Sequence, residues 1–193
     1  MDTNQTAETP SLLAMISAPA FCLILGAALL HFTKTPWSFA TGGIGYSLLL
    51  GAAIGVLLYI ILAGMSRLPI AKSLKPILAQ LRPMFKNMNV GQVLILSLMA
   101  GIGEEVFFRG FLQTWLSGFM SIELAILAGA IGFGLLHFAS VGYFVITTLI
   151  GLALGFTYHF SESLLLVITW HSIYDALAIW VISRHPELIG IEV

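Results

Sequence analysis

Apolar residues along this chain neither alternate nor recur as a helical stripe. They run together in six long stretches separated by short polar connections. The stretches lie at about Ser11–Phe32, Ile44–Met65, Val90–Leu116, Ile122–Phe138, Val141–His159 and Ser163–Ser183. A helix needs roughly 20 apolar residues to cross the hydrocarbon core of a bilayer. The pattern therefore predicts an all-α polytopic transmembrane helical bundle of about six spans. Pro19 predicts a kink in the first span. Gly51-Ala-Ala-Ile-Gly55 in the second and Gly151-Leu-Ala-Leu-Gly155 in the fifth are small-xxx-small patterns that let a neighbouring helix approach closely.

The one long polar connection runs from Arg67 to Asn89 and holds Arg67, Lys72, Lys75, Arg82 and Lys86, out of 8 lysines and arginines in the chain. Pro69, Pro76 and Pro83 rule out one long helix there. Bases interleaved with Leu74, Ile77, Leu78, Leu81, Met84 and Phe85 suit short helical pieces in the headgroup region. Basic loops favour the cytoplasmic side, so this loop and, with six spans, both termini are expected in the cytoplasm. Arg184 after the last span agrees; Lys34 points weakly the other way. The N-terminus carries Asp2 and Glu8 without a base, unlike the positive start of a secretory signal, so the first apolar run reads as a retained span. The organisation expected is two spans plus the basic loop over 1–89, a four-helix core over 90–185, and a short tail over 186–193.

Composition sharpens the class. Hydrophobic residues make up 59% of the 193, and charged residues 9%, against about 25% in an ordinary soluble domain. The net charge of −1 and the single basic loop give no footprint for nucleic acid. Cys22, the single cysteine, excludes an internal disulfide and a CxxC metal knuckle.

The chemistry lies in the charges that sit inside the spans. An ionised side chain at mid-bilayer costs about 2.5–3.5 kcal/mol. Glu104, Glu105, Arg109 and Asp175 together would cost on the order of 10–14 kcal/mol if they faced lipid, so they must turn inward and find partners. Glu105 and Arg109 are an i,i+4 pair on one helix face, which suits a structural ion pair. Glu104 points about 100° away and lacks its own arginine. His171 and Asp175 are also i,i+4, as are Phe133 and His137. Glu104 with the two histidines suits a general base acting on water, with imidazoles holding that water or a developing oxyanion. Glu, His and His also fit a three-ligand zinc site with an open position, but no HExxH pattern supports a metal. No serine or cysteine has a base beside it, since Ser172 points away from His171. His31, His159, His185, Glu162 and Glu187 fall at span ends, where water is available.

Glu104-Glu105-Val-Phe-Phe-Arg109, Phe133-Gly-Leu-Leu-His137 and His171-Ser-Ile-Tyr-Asp175 follow one another on successive apolar helices. With these three motifs (EExxxR, FxxxH, and HxxxN or HxxxD) the chain resembles the CAAX protease and bacteriocin-processing family, also called Abi, of glutamic-type intramembrane proteases. The resemblance covers spans three to six. It implies that Glu104 activates water with help from His137, that His171 and residue 175 stabilise the oxyanion, and that Glu105 and Arg109 hold the site together, without a cofactor. Relatives that process CAAX tails carry asparagine where this chain has Asp175. A carboxylate donates no hydrogen bond unless protonated, so Asp175 reads instead as orienting His171. The implied partner is a membrane-associated peptide or the C-terminal tail of a precursor protein, in a prokaryotic cytoplasmic membrane. The compact layout favours a peptide precursor or a sorting tail over a prenylated CAAX tail. The rival reading is a non-catalytic bacteriocin-immunity protein or a proton-coupled carrier that uses the same buried cluster.

Overall fold

The computed structural model describes residues 10–66 and 74–191. They form seven helices: α1 (Leu12–Thr33), α2 (Ile44–Met65), α3 (Lys75–Phe85), α4 (Val90–Leu116), α5 (Ile122–Leu136), α6 (Val141–Ser161) and α7 (Leu164–Arg184), followed by a short 3₁₀ turn at Pro186–Ile189. Among the described residues there is no strand. The acidic N-terminal residues Asp2 and Glu8, and Arg67, Pro69 and Lys72 of the basic loop, lie outside the described residues.

Polar side chains set where the helices begin. Ser11, Ser121, Ser140 and Ser163 each accept a backbone N–H from the first turn of α1, α5, α6 and α7. α4 starts with a reciprocal cap: Asn89 Oδ1 accepts from Gln92 N and Gln92 Oε1 from Asn89 N, both at 2.9 Å. Each cap satisfies amides that have no partner within the helix. The connection between α1 and α2 does the same for α7. The carbonyls of Ser38 and Phe39 accept from Leu164 N at 3.1 Å and Leu165 N at 2.8 Å.

α7 is the central post, with α2, α4 and α3 packed on it, while α1 lies against α4 and α5 pairs with α6. Glycine permits the closest of these approaches. A Cβ at Gly51 or Gly55 would fall 2.5 Å from Leu166 O or 2.7 Å from Trp170 O on α7. On the other side, a Cβ at Gly151 would fall 3.1 Å from Ala130 Cα of α5, and one at Gly155 2.8 Å from Ile126 Cγ2. Both small-xxx-small patterns are thus helix contacts.

Five of the expected spans are long and apolar enough to cross a membrane. The fourth differs: α5 has 15 residues and stops at Leu136. At 1.5 Å per residue it is about 22 Å long, short of the ~30 Å hydrocarbon core. It ends there because Ser140, four residues on, already caps α6. The basic loop also departs from the expected pattern in detail. Pro76 sits in the first turn of α3, where its missing N–H costs nothing, and Pro83 lies inside the helix, in its last turn. None of the α3 side chains is buried. Arg184 Nη2 donates to Met88 O at 2.9 Å, which ties the end of α7 to the segment between α3 and α4.

Candidate active site

Halfway along α4 the α-helix gives way to a π-helical stretch, Val106–Gln113, immediately after the two glutamates. The wider turn has a consequence for packing: Phe108, Arg109, Gly110 and Phe111 are buried in succession, more than a single α-helical stripe allows. The backbone bonding gap is filled by Thr114 Oγ1, which donates to Arg109 O at 2.9 Å. π-turns inside α-helices are frequent at functional sites. On the far side of α4, a Cβ at Gly103 would collide with Pro19 O of α1. Pro19 inside α1 and the glycine before Glu104 are therefore packed backbone to backbone.

Glu105 is fully buried and its Oε1 accepts from two donors, Arg109 Nη1 and His171 Nδ1, each at 2.8 Å. Arg109 continues the link, with Nη2 donating to Gly151 O of α6 at 2.9 Å. Its guanidinium lies 4.8 Å from the centroid of Phe133 on α5. One acid and one base thereby join α4, α5, α6 and α7. The i,i+4 pair expected from spacing is present; the tie from Glu105 to His171 is an addition that spacing does not reveal.

Glu104 turns the other way. It is 5% exposed, and its Oε2 lies 3.5 Å from His137 Nε2 with no hydrogen-bond partner among the described residues. His137 caps α5, and its Nδ1 lies 2.9 Å from Phe133 O. A carbonyl only accepts, so Nδ1 carries a proton, and in the neutral ring Nε2 is then a lone pair. Two acceptors then face one another. A water beside them can donate one O–H to each and keep its own lone pair free.

His171 is held at both nitrogens. Beyond Nδ1 on Glu105, its Nε2 lies 3.4 Å from Asp175 Oδ2 on the same helix. His171 is thus joined to the cluster through Glu105 and Asp175, and Glu104 is in contact with His137. Phe133 organises both imidazoles: it stacks on His137 at 4.5 Å and meets His171 edge-on at 5.7 Å. Phe133, His137, His171 and Asp175 line a cavity of about 70 Å³, room for a few waters. Tyr143, Thr147, Trp170 and Tyr174 complete its polar wall. Sequence reasoning did not single out these four; Tyr174, between His171 and Asp175, lies inside a motif, and the two α6 residues carry no motif signal. His185 and Glu187 pair at 3.4 Å near the surface, both more than half exposed, away from this cluster.

No curated protein and no solved structure matches the chain. Residues 86–177, about half of it, match the family model described as type II CAAX prenyl endopeptidase Rce1-like. The match takes in α4, α5, α6 and α7 as far as Leu177, with all three motifs and every ligand of the Glu105 tie. The segment that carries the three motifs is therefore similar to that family, consistent with the resemblance to the CAAX protease and bacteriocin-processing family.

Proposed function

We propose that the protein is an intramembrane endopeptidase that hydrolyses a peptide bond in the tail of a membrane-associated protein or peptide precursor, with Glu104 and His137 activating water. The observation that carries this reading is the facing of Glu104 Oε2 and His137 Nε2 at 3.5 Å, close enough for one water to bond both. A water bound there attacks the scissile carbonyl carbon and passes its proton to Glu104, while the carbonyl π pair moves to oxygen. On collapse the C=O bond re-forms and the C–N pair leaves with nitrogen, which takes the proton back from Glu104. Glu105 and Arg109 position His171, and Asp175 bears on its other nitrogen.

The reading is metal-independent, and its support is how the ligands are committed. The zinc set weighed from the sequence needs Glu104, His137 and His171 to converge, yet His171 spends Nδ1 on Glu105 and turns Nε2 to Asp175. Among the described residues no three His, Cys, Asp or Glu side chains gather as a metal site. We place the basic face in the cytoplasm: Lys75, Arg82 and Lys86 of α3 lie on the side where Arg184 meets Met88, as the positive-inside rule favours.

The test uses purified full-length protein in proteoliposomes with a quenched-fluorescent peptide bearing a farnesylated CAAX tail and a second, unprenylated precursor-tail peptide. Cleavage of either that survives chelator and vanishes in Glu104→Gln is expected. Activity lost to chelator and restored by zinc would replace the water-activation scheme with a metallopeptidase. No cleavage by wild type or Glu104→Gln, with immunity or proton transport retained, would favour a binding or carrier role.

A further inference from the structure

Attack on an amide puts negative charge on the carbonyl oxygen, and a site that stabilises it needs a donor aimed at that oxygen. This inference rests on the proposed peptidase reading. The cavity wall has few donors to spare. His137 commits Nδ1 to the Phe133 carbonyl, and His171 commits Nδ1 to Glu105 and turns Nε2 to Asp175. Asp175, as a carboxylate, only accepts. The Thr147 hydroxyl turns back into its own helix, 2.9 Å from Tyr143 O and 3.1 Å from Phe144 O. Trp170 is 3% exposed and packed into the apolar core, and Tyr174 leans on the same core.

Tyr143 is different. It lines the cavity from the first turn of α6, outside that core, and its hydroxyl has no hydrogen bond among the described residues. Its backbone is fixed: Tyr143 N donates to Ser140 Oγ at 3.1 Å, and its carbonyl accepts from Thr147. The ring shares this cavity with His137, which faces Glu104, and with Asp175. Tyr143 thus stands where the attacking side and the Asp175 side of the cavity meet.

We propose that the Tyr143 hydroxyl is the oxyanion donor, supplying the hydrogen bond that the carboxylate at Asp175 cannot give. The phenol keeps its proton throughout. As the carbonyl π pair moves to oxygen, the O–H···O⁻ bond shortens, and it lengthens again when the C–N bond breaks and the carbonyl re-forms. Tyr143 is in this sense a catalytic residue, and its contribution falls on kcat.

The experiment compares wild type, Glu104→Gln, Tyr143→Phe and Tyr143→Phe/Asp175→Asn in proteoliposomes with the same two peptides. Loss of one oxyanion donor costs about 10²–10³-fold in kcat, so Tyr143→Phe should lose roughly that, with KM nearly unchanged. Adding Asp175→Asn brings an N–H donor to the same wall and should recover part of the lost kcat, which a purely structural role for Tyr143 would not allow. If wild type cleaves, Glu104→Gln does not, and Tyr143→Phe keeps wild-type kcat or changes only KM, the tyrosine assignment is overturned while the peptidase reading survives. If Asp175→Asn restores nothing to a slowed, folded Tyr143→Phe, the donor role is overturned as well. If wild type and Glu104→Gln are equally inactive, the peptidase reading falls and takes the tyrosine role with it.

Discussion

His171 Nδ1 lies 2.8 Å from Glu105 Oε1, a contact between residues 66 apart in the chain. The same oxygen accepts from Arg109 at 2.8 Å, so one carboxylate restrains two basic side chains on different helices. Burying three such groups is tolerable only while they satisfy one another. Glu105→Ala would leave Arg109, 2% exposed, without its counter-charge. Removing one partner of a buried pair costs about 3–5 kcal/mol, so this variant should unfold far more readily in detergent than wild type. Glu105→Gln keeps an acceptor oxygen at the centre and should fall between the two. A Glu105→Ala protein as stable as wild type would mean that Arg109 is satisfied by Gly151 O and Phe133 alone.

A second prediction concerns how closely α4 sits to its neighbours. A Cβ on Gly101 would strike Ser172 Oγ and come within 2.9 Å of Ile168 O on α7. Since α7 carries His171, Gly101→Ala should push that helix away from Glu105 and lower cleavage while the protein remains inserted in the membrane. The control is Gly64→Ala on α2, where nothing lies within 4 Å of the added methyl. That change should leave activity intact and add up to ~1 kcal/mol through helix propensity. Equal activity of the two alanine variants would sink the argument.

These two cases show what the chain discloses unaided. Glu105 with Arg109 and His171 with Asp175 were legible because i,i+4 proximity is a property of any helix. Gly51, Gly55, Gly151 and Gly155 announced close helix contacts without naming the partner. The His171–Glu105 bond was not legible, because it depends on how α7 is rotated against α4, which Gly101 and Ser172 decide together. The π-turn at Val106–Gln113 was hidden for a similar reason: it arises where Phe108, Arg109, Gly110 and Phe111 must all be buried between neighbours. The early end of α5 was masked by apolar Phe138 and Ala139, which extend the hydrophobic run beyond the helix. Tyr143 and Thr147 face the cavity by tertiary placement alone.

Phe133 gives a third prediction. It carries the Arg109 guanidinium at 4.8 Å, the His137 ring at 4.5 Å and the edge of His171 at 5.7 Å. Phe133→Leu keeps an apolar filler but removes the π face, worth about 2 kcal/mol or more for a desolvated cation. The imidazole of His137 would lose its stacking surface and with it a fixed angle toward Glu104. Stability should fall by roughly that amount, and kcat should fall more than stability suggests, while Phe133→Tyr retains more of both. Thermal unfolding and single-turnover cleavage measured side by side separate the two effects.

The remaining prediction turns on Asp175. In a Ser-His-Asp triad the aspartate alone fixes which histidine nitrogen holds the proton, and its replacement by asparagine costs about 10⁴-fold. Here the corresponding histidine is anchored differently. His171 Nδ1 donates to Glu105 at 2.8 Å, and Asp175 meets only the other nitrogen, at 3.4 Å. Changing residue 175 therefore leaves the tautomer under the control of Glu105. An asparagine there can present either its oxygen or its N–H to Nε2, so Asp175→Asn should lose far less than ~10⁴-fold. Asp175→Ala, which offers neither, should lose more than Asp175→Asn and leave KM less affected than kcat. Cleavage rates with Asp175→Asn as low as with Glu104→Ala would show that the carboxylate itself takes part in the reaction, and that Glu105 does not set the state of His171 by itself.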